Sequence, residues 1–425
     1  MNTAIVGINW GDEGKGRMVD LLSENFDVVV RYQGGNNAGH TVINEKGKFV
    51  LNLLPSGILR DGVVNVMGPG MVIDIKHFSE EVQRLADKGV SVTPENLKVS
   101  DRAVICMPYH VQQDIMEEDR LADKKAGSTR RGIGPVYADK YFRKAFKTGD
   151  LLYSADLYGK VRDICEWKNI QIAGYGKTID VDETYYWLMK YGDIIKPFVC
   201  DTGELFLKAQ KEGKKVLFEA QLGALRDIDL GIYPYTSSSS TIAAYAPIGA
   251  GAPFLKIDKT VGIVKAYSSA VGGGPFVCEM SGKAAEALRE AGGEYGAATG
   301  RPRRVGPLDI PATEYGVRVQ GADEIVVTKL DILSYMDKIP VCVAYERNGE
   351  IYKTFPYPDL LDGCKPVIEY KKGWKCDISA AKTLDDLPKE ARSYLRYIQK
   401  TVGAKITYVS VGAERDSYIK VSGRM

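Results

Sequence analysis

Two glycine-rich stretches near the start of the chain hold the residues best suited to chemistry. The first runs Gly7-Ile8-Asn9-Trp10-Gly11-Asp12-Glu13-Gly14-Lys15-Gly16, and the second Gln33-Gly34-Gly35-Asn36-Asn37-Ala38-Gly39-His40-Thr41. A strand that ends in a glycine-rich turn and enters a helix presents free backbone N–H groups, which attract an anion. The first stretch sets a carboxylate, Asp12, and an ammonium, Lys15, inside such a turn. The second sets an amide, Asn37, beside an imidazole, His40. The pair reads as a phosphate cradle with acid–base groups built in. A plain left-handed turn would account for two glycines, not four interleaved with Asp12, Glu13 and Lys15. The first stretch is not a Walker A loop, because Asn9 stands where its first glycine belongs and Gly16 where its Ser or Thr belongs. Nor is it G-x-G-x-x-G, since Val19 follows Gly14 and Gly16 at the third glycine's place. His40 is one of three histidines. Between Gly39 and Thr41 it can protonate a phosphate oxygen or stabilise charge developing on it. His77 and His110 fall on or at the start of helical patterns and read as structural or surface groups.

The elements that must position these groups follow from periodicity. Thr3 to Ile8 and Asp27 to Tyr32 are short, apolar, β-branched runs suited to buried strands. Met18, Leu21 and Leu22 repeat at helical spacing, so a helix is expected from about Gly14 to Asn25. Further strands are expected at Phe49 to Leu54, Val63 to Met67, Val216 to Ala220, Val261 to Ala266 and Ile325 to Val327, with Ile406 to Val409 the last convincing core strand. Leu97 to Met107 holds short strand signals. Helices are expected over Ile75 to Leu85, ended by Lys88-Gly89, then over His110 to Leu121 and Lys283 to Ala291. Residues 139 to 212 read as a mostly helical insertion packed on the sheet, broken at Gly174 and Gly176. Strands alternating with helices argue for an α/β fold, a largely parallel central sheet flanked by helices with helical insertions, while length alone suggests two or three domains. Polar loops after strand ends suit ligand binding at the carboxyl edge of an open sheet.

Three later stretches carry chemistry. Thr328-Lys329-Leu330-Asp331 after an apolar strand is similar to the N-K-x-D guanine-reading motif of GTPases. An aspartate there accepts from guanine N1–H and the 2-amino group, a pair that adenine does not offer, and the lysine stem can lie across the base. Ser410-Val411-Gly412 ends another strand and could close the far side of a base pocket. Ala298-Thr299-Gly300-Arg301-Pro302-Arg303-Arg304 packs three guanidinium groups into four positions, a fork array suited to carboxylate and phosphate.

Composition narrows the partners. The chain has 425 residues, 44% hydrophobic and 26% charged, with a formal net charge of +2. So small an excess gives no electrostatic case for nucleic acid or an acidic membrane. No apolar run approaches the roughly 20 residues that cross a bilayer, and the strand at the N-terminus leaves no room for a signal peptide. Seven cysteines without CxxC spacing suit free thiols in a reducing compartment. A cytoplasmic protein is expected.

With these stretches in hand, the chain resembles the adenylosuccinate synthetase family from about residue 3 to about 420. The resemblance is carried by Trp10 to Gly16, Gln33 to His40, Gly132-Ile133-Gly134-Pro135, Tyr233-Pro234-Tyr235 and Thr328 to Asp331. It implies a single domain over 1–425, P-loop-NTPase-like with small subdomains, and a GTP-dependent joining of IMP and L-aspartate, the first committed step from IMP to AMP, through 6-phosphoryl-IMP, with Mg²⁺ as cofactor and GDP and phosphate released. By match, the catalytic groups are Asp12, as base and Mg²⁺ ligand, His40 as acid, and Lys15. The Gly39 carbonyl joins the metal shell. The GTP side takes Gly11, Glu13, Gly14, Lys15, Gly16, Thr41, Arg303, Lys329, Asp331, Ser410 and Gly412. The IMP side takes Asp12, Asn37, Thr129, Arg143, Gln221, Thr236 and Arg301, with Arg143 reaching across a homodimer interface. L-Aspartate falls to Val271, Thr299 and Arg301. A regulatory GTPase and a relative without catalysis are the alternatives.

The chain departs from the family pattern in places. The usual Phe-Glu-Gly-Ala-Gln-Gly stretch is here Phe218-Glu219-Ala220-Gln221-Leu222-Gly223, with the glutamine one place early. The serine run 237 to 240 leaves Thr236 and Ser237 both available as the phosphate contact. Asn36 replaces a frequent histidine, and Pro302 an arginine.

Overall fold

The computed structural model describes residues 1–44, 47–122, 127–296, 300–421 and 423. Its centre is a ten-stranded sheet. The order is Tyr418–Lys420, Lys405–Ser410, Glu324–Thr328, Lys259–Lys265, Thr3–Gly7, Val216–Glu219, Val28–Arg31, Val64–Met67, Leu97–Ser100 and Val199–Cys200. Every adjacent pair is parallel except the first, where Tyr418–Lys420 runs antiparallel to Lys405–Ser410. Parallel strands need crossovers, so helices cover both faces and the strands are apolar on both sides. Alternation sorts them. Ile5, Leu217, Val29 and Ile263 pack with Met18 and Val19 of the helix Lys15–Ser23. Ala4, Val6, Phe218 and Val30 pack on the opposite face with Phe206, Ala246 and Ala250. Burying a Met or Val side chain this way contributes about 1.5–3 kcal/mol.

Most expected elements form within a residue or two of their expected ends. Four expectations change. Phe49 to Leu54 does not enter the central sheet. Gly47–Leu51 pairs antiparallel with His40–Asn44 in a separate hairpin, and His40 therefore opens a strand rather than lying in a loop. The 139 to 212 insertion begins earlier, with the helix Ile133–Phe142, and sends Val199–Cys200 to the edge of the main sheet. Ile406 to Val409 is the last core strand, but a short strand not expected, Tyr418–Lys420, follows it and caps that edge. The fourth change is a small sheet of Leu308–Asp309, Lys338–Arg347, Glu350–Tyr352 and Lys365–Lys372, accompanied by unexpected helices at Ile310–Gln320 and Lys389–Val402. Ala391, Tyr394, Leu395, Ile398 and Val402 form the buried stripe of that last helix. Among the described residues no helix is long and apolar enough to cross a membrane.

Candidate active site at the carboxyl edge of the sheet

The first glycine-rich stretch leaves the strand Thr3–Gly7 and enters the helix Lys15–Ser23. Gly14 caps that helix in the left-handed region, φ +100°, and no described side chain caps it. Its first amides are thus available to an anion. Asp12 shares the left-handed region at φ +59°, where a short polar side chain is tolerated better than a bulky one. Gly16 is required by close approach, because a Cβ there would lie 2.6 Å from the Cβ of His40. His40, from the second stretch, therefore stands directly over the helix N-terminus.

Lys15 is buried and its Nζ lies 2.6 Å from Glu13 Oε2, while Glu13 Oε1 accepts from Gly11 N–H at 2.8 Å and Asn9 N–H at 3.1 Å. The cradle thus holds a carboxylate of its own. The Glu13 side chain faces the loop's donors rather than outward, so its contact with a phosphate is confined to its backbone N–H. Asp12 faces Arg303, whose Nε is 3.0 Å from Asp12 Oδ2, an ion pair without hydrogen-bond alignment.

His40 Nδ1 lies 2.5 Å from Oε1 of Glu219, a fully buried carboxylate that also accepts from Ser56 N–H at 2.7 Å and Ser56 Oγ–H at 2.6 Å. A carboxylate can only accept, so Nδ1 carries the proton and Nε2 is left for a ligand. Burial pushes the His40 pKa down and Glu219 opposes it. Glu219 stays below the ordinary carboxylate range: burial raises it, but His40, Arg31 and Ser56 outweigh burial. Sequence reasoning missed Glu219, though a carboxylate closing an otherwise apolar strand was a signal.

The base-reading stretch adjoins this cradle. Thr328 Oγ1 donates to the Glu13 carbonyl at 2.7 Å, and Leu330 N–H to the Ser410 carbonyl at 3.2 Å. Ser410 Oγ donates to the Gly412 carbonyl at 3.0 Å. Asp331 Oδ1 is buried without a hydrogen-bond partner among the described residues. Burial raises its pKa, against the pull of Lys329 and Arg17. An orphaned acceptor of this kind is costly unless a ligand's donors satisfy it.

On the other side, Asn37 Oδ1 accepts from Gly35 N–H at 3.2 Å and Gln221 Nε2–H at 2.5 Å. Gln221 is fully buried and its carbonyl oxygen accepts from Arg31. This settles one effect of the early glutamine: its amide is spent holding Asn37 and Arg31, and Leu222 follows at φ +63°. Thr129 is exposed on the loop ahead of Ile133–Phe142. That loop is shaped by Asp114, which accepts from Ser128 Oγ–H at 2.5 Å and Gly132 N–H at 2.8 Å. It runs against the 271–274 loop, where Gly127 approaches Gly272. Arg226, also missed from sequence, is buried and donates to the carbonyls of Val271, Gly273 and Tyr235, while its own carbonyl accepts from Ser237 N–H at 2.8 Å. It thereby joins the loop of Val271 to that of Thr236. Burial lowers its pKa to about 10.

Arg143 ends the helix Ile133–Phe142 at φ +61°, exposed on the surface and away from these contacts. Arg301 and Arg303 separate: Arg303 turns to Asp12, while Arg301 is exposed. Thr41 pairs with Val50 in the hairpin. Thr299 lies outside the described residues. Among the described residues no three His, Cys, Asp or Glu side chains converge as a metal site.

A parallel sheet whose carboxyl edge gathers an uncapped helix N-terminus, a lysine, two loop carboxylates and an oriented imidazole defines an α/β enzyme of the nucleotide-binding class. The family model for adenylosuccinate synthetase matches residues 4–419. An adenylosuccinate synthetase of a Thermoanaerobacter species is 46% identical over 418 residues, 98% of each chain, and that of Clostridium perfringens 43% identical over 420 residues, again 98% of each. The chain belongs to the adenylosuccinate synthetase family, carbon–nitrogen ligases that join IMP to aspartate with GTP in AMP synthesis. Among solved structures, the fully ligated adenylosuccinate synthetase of Plasmodium falciparum superposes with a TM-score of 0.93 at 34% identity over 99% of both chains. The cyanophage S-2L succinoaminodeoxyadenylate synthetase, bound to dGMP and dATP, shares the fold at a TM-score of 0.62 and 20% identity.

Proposed function

We propose that this enzyme makes adenylosuccinate in two steps at the edge just described. Asp12 takes the N1 proton of IMP, and the electron pair so freed drives O6 onto the γ-phosphorus of GTP. The O6–P bond forms, the bond to the β-phosphate oxygen breaks, and GDP leaves. The free amine of L-aspartate then attacks C6, the C6–N bond forms as the C6–O bond breaks, and the proton lost from nitrogen goes to the departing phosphate. His40 takes up a second proton, so that Nδ1–H stays on Glu219 and Nε2–H donates to the transferring phosphoryl group. Lys15 leaves Glu13 for phosphate. The helix amides stabilise charge as it develops, which is where most of the rate in phosphoryl transfer arises. Lys329, Asp331 and the Ser410 to Gly412 turn hold guanine. Asn37, Thr129, Thr236 and Arg301 hold IMP, and Val271, Thr299 and Arg301 hold L-aspartate.

Mg²⁺, when bound, neutralises the phosphate oxygens of GTP. Asp12 and the Gly39 carbonyl would hold it. The fit rests on the donor chemistry, all hard oxygen, and on Asp12 already facing a cation at 3.0 Å. So few protein ligands leave positions for phosphate and water, as Mg²⁺ favours. A homodimer in which Arg143 completes the partner's IMP site is part of the reading, supported by Tyr141 and Phe142 standing 76% and 63% exposed beside it. So is a cytoplasmic location, supported by seven free thiols.

The observation that supports this reading is that one uncapped helix N-terminus has Asp12 in the turn that enters it, Lys15 as its first residue and His40, from the second stretch, against its first turn. The test is incubation with GTP, Mg²⁺, IMP and L-aspartate, with the product identified by mass. Adenylosuccinate should form, and Asp12→Ala should abolish it; turnover within about tenfold of the parent would remove Asp12 as the base. Phosphate release at the same rate without IMP or L-aspartate would indicate a switch GTPase instead.

A further inference from the structure

One buried carboxylate next to the site has no part in the mechanism above. Glu294, fully buried, lies just beyond the helix Gly282–Gly292. Its carboxylate receives Lys265 Nζ at 2.8 and 3.0 Å, Lys329 Nζ at 2.9 Å, Arg303 Nη1 at 3.0 Å and the Tyr267 hydroxyl. Burial alone would raise the pKa of Glu294, but Lys265, Lys329 and Arg303 overcome it and hold the carboxyl far below its usual range. The three cations come from different places. Lys265 ends one central strand and Lys329 follows the next. Arg303 lies at the far end of the 294–303 loop, whose stem closes where Arg303 N–H donates to the Glu294 carbonyl at 2.9 Å.

A carboxylate needs one cation to offset its charge, and Lys265 already does so. It is buried, touches both carboxylate oxygens and donates to Ser269 Oγ at 2.6 Å. Arg303 also faces Asp12, so the three cations against these two carboxylates leave one positive charge in excess, on the Lys329 and Arg303 side. Both remain partly open, at 29% and 12% exposed. Both also border the site, since Arg303 Nε is 3.0 Å from Asp12 and Lys329 stands two residues before Asp331. Lys329 further holds a left-handed backbone, φ +58°, with Nζ anchored on the Gly292 carbonyl at 2.6 Å and on Glu294. Two cations held in fixed directions beside a phosphate cradle, with one positive charge in excess, form an anion-attracting array.

We propose that Glu294 is a positioning residue that holds Arg303 and Lys329 for the guanine nucleotide. This rests on the reading of the site as one for GTP. The test compares Glu294→Gln, which keeps the shape and removes the charge, with the double variant Lys265→Met/Glu294→Gln, which also removes the buried lysine charge. Affinity for N-methylanthraniloyl-GDP needs no turnover, and KM and kcat follow from adenylosuccinate formation. Once the Glu294 carboxylate no longer holds Arg303 and Lys329, the Kd for the GDP analogue and the KM for GTP should rise about tenfold to a hundredfold in both variants, with the KM for IMP within about twofold. A structural role alone would lower the folded fraction, and so apparent kcat, at unchanged Kd and KM. The proposal is overturned if Glu294→Gln binds the analogue within about twofold of the parent, if the double variant regains parental affinity, or if neither variant folds. If the parent makes no adenylosuccinate, the functional reading fails, whatever the variants bind.

Discussion

Replacing Glu219 by glutamine tests the link between the buried carboxylate and the candidate acid. In the parent, Glu219 accepts from His40 Nδ1 at 2.5 Å and twice from Ser56, at 2.7 and 2.6 Å. Glutamine keeps one acceptor oxygen, which suits Ser56 N–H, but turns an NH₂ toward the imidazole. His40 Nδ1 must then accept, its single proton moves to Nε2, and a second proton finds no partner. A hydrogen bond to a charged group contributes about 1.5–3 kcal/mol. At about 1.4 kcal/mol per tenfold, kcat should fall about tenfold to about 150-fold. KM for IMP and L-aspartate should stay within about twofold, because neither ligand touches Glu219 in the reading above. The chain has only three histidines, so ¹⁵N-histidine spectra resolve the tautomer change directly. A variant with parental tautomer and kcat within about twofold would refute the orienting role of Glu219.

The other predictions concern recognition, assembly and acid stability. Asp331→Asn should weaken GTP and improve use of xanthosine triphosphate, since the amide can donate to the extra carbonyl; an unchanged base preference in competition assays would refute the guanine assignment. Arg143→Leu should lose activity and regain part of it on mixing with Asp12→Ala, because hybrid dimers recover one complete site, and no recovery would argue against a shared site. His110 is fully buried, with Nδ1 accepting from Met107 N–H at 2.9 Å and Nε2 donating to Asp139 at 2.9 Å. Burial lowers its pKa to about 4, although Asp139 opposes the shift. The unfolded chain, with a histidine pKa of about 6.5, therefore binds a proton that the folded chain does not. Stability complete above that value should fall as the solution is acidified, by about 2 kcal/mol at pH 5. Denaturant titrations of the parent and of His110→Gln at pH 7 and pH 5 measure this; equal slopes in both proteins would refute it.

Features that depend on neighbours in the chain were legible without coordinates. Thr3–Gly7 and Val28–Arg31 are apolar on both faces because parallel strands are covered by helices on both sides, and that leaves a continuous hydrophobic run in the sequence. The loop of Asp12 and Lys15 was legible for a similar reason, since a strand, a glycine turn and a helix start are all local. The stretch from Lys338 to Lys372 was not. Its exposed, lysine-rich strand Lys365–Lys372 lacks an apolar signature and forms because Lys338–Arg347 lies beside it.

The sequence by itself determined which chemical groups this protein carries and where loops must follow strands, because residue type and backbone preference act over a few positions. Only the tertiary structure decided which of those groups face one another. His40 meets Glu219 across 179 residues, Asn37 meets Gln221 across 184, and Lys265 meets Glu294 across 29. These pairings follow from strand order in the sheet: Val216–Glu219 lies between Thr3–Gly7 and Val28–Arg31, so its carboxyl end falls beside both glycine-rich loops. A burial cost that no local pattern reveals then selects the partners, because a carboxylate such as Glu219 or Glu294 can be enclosed only where donors from distant segments converge on it.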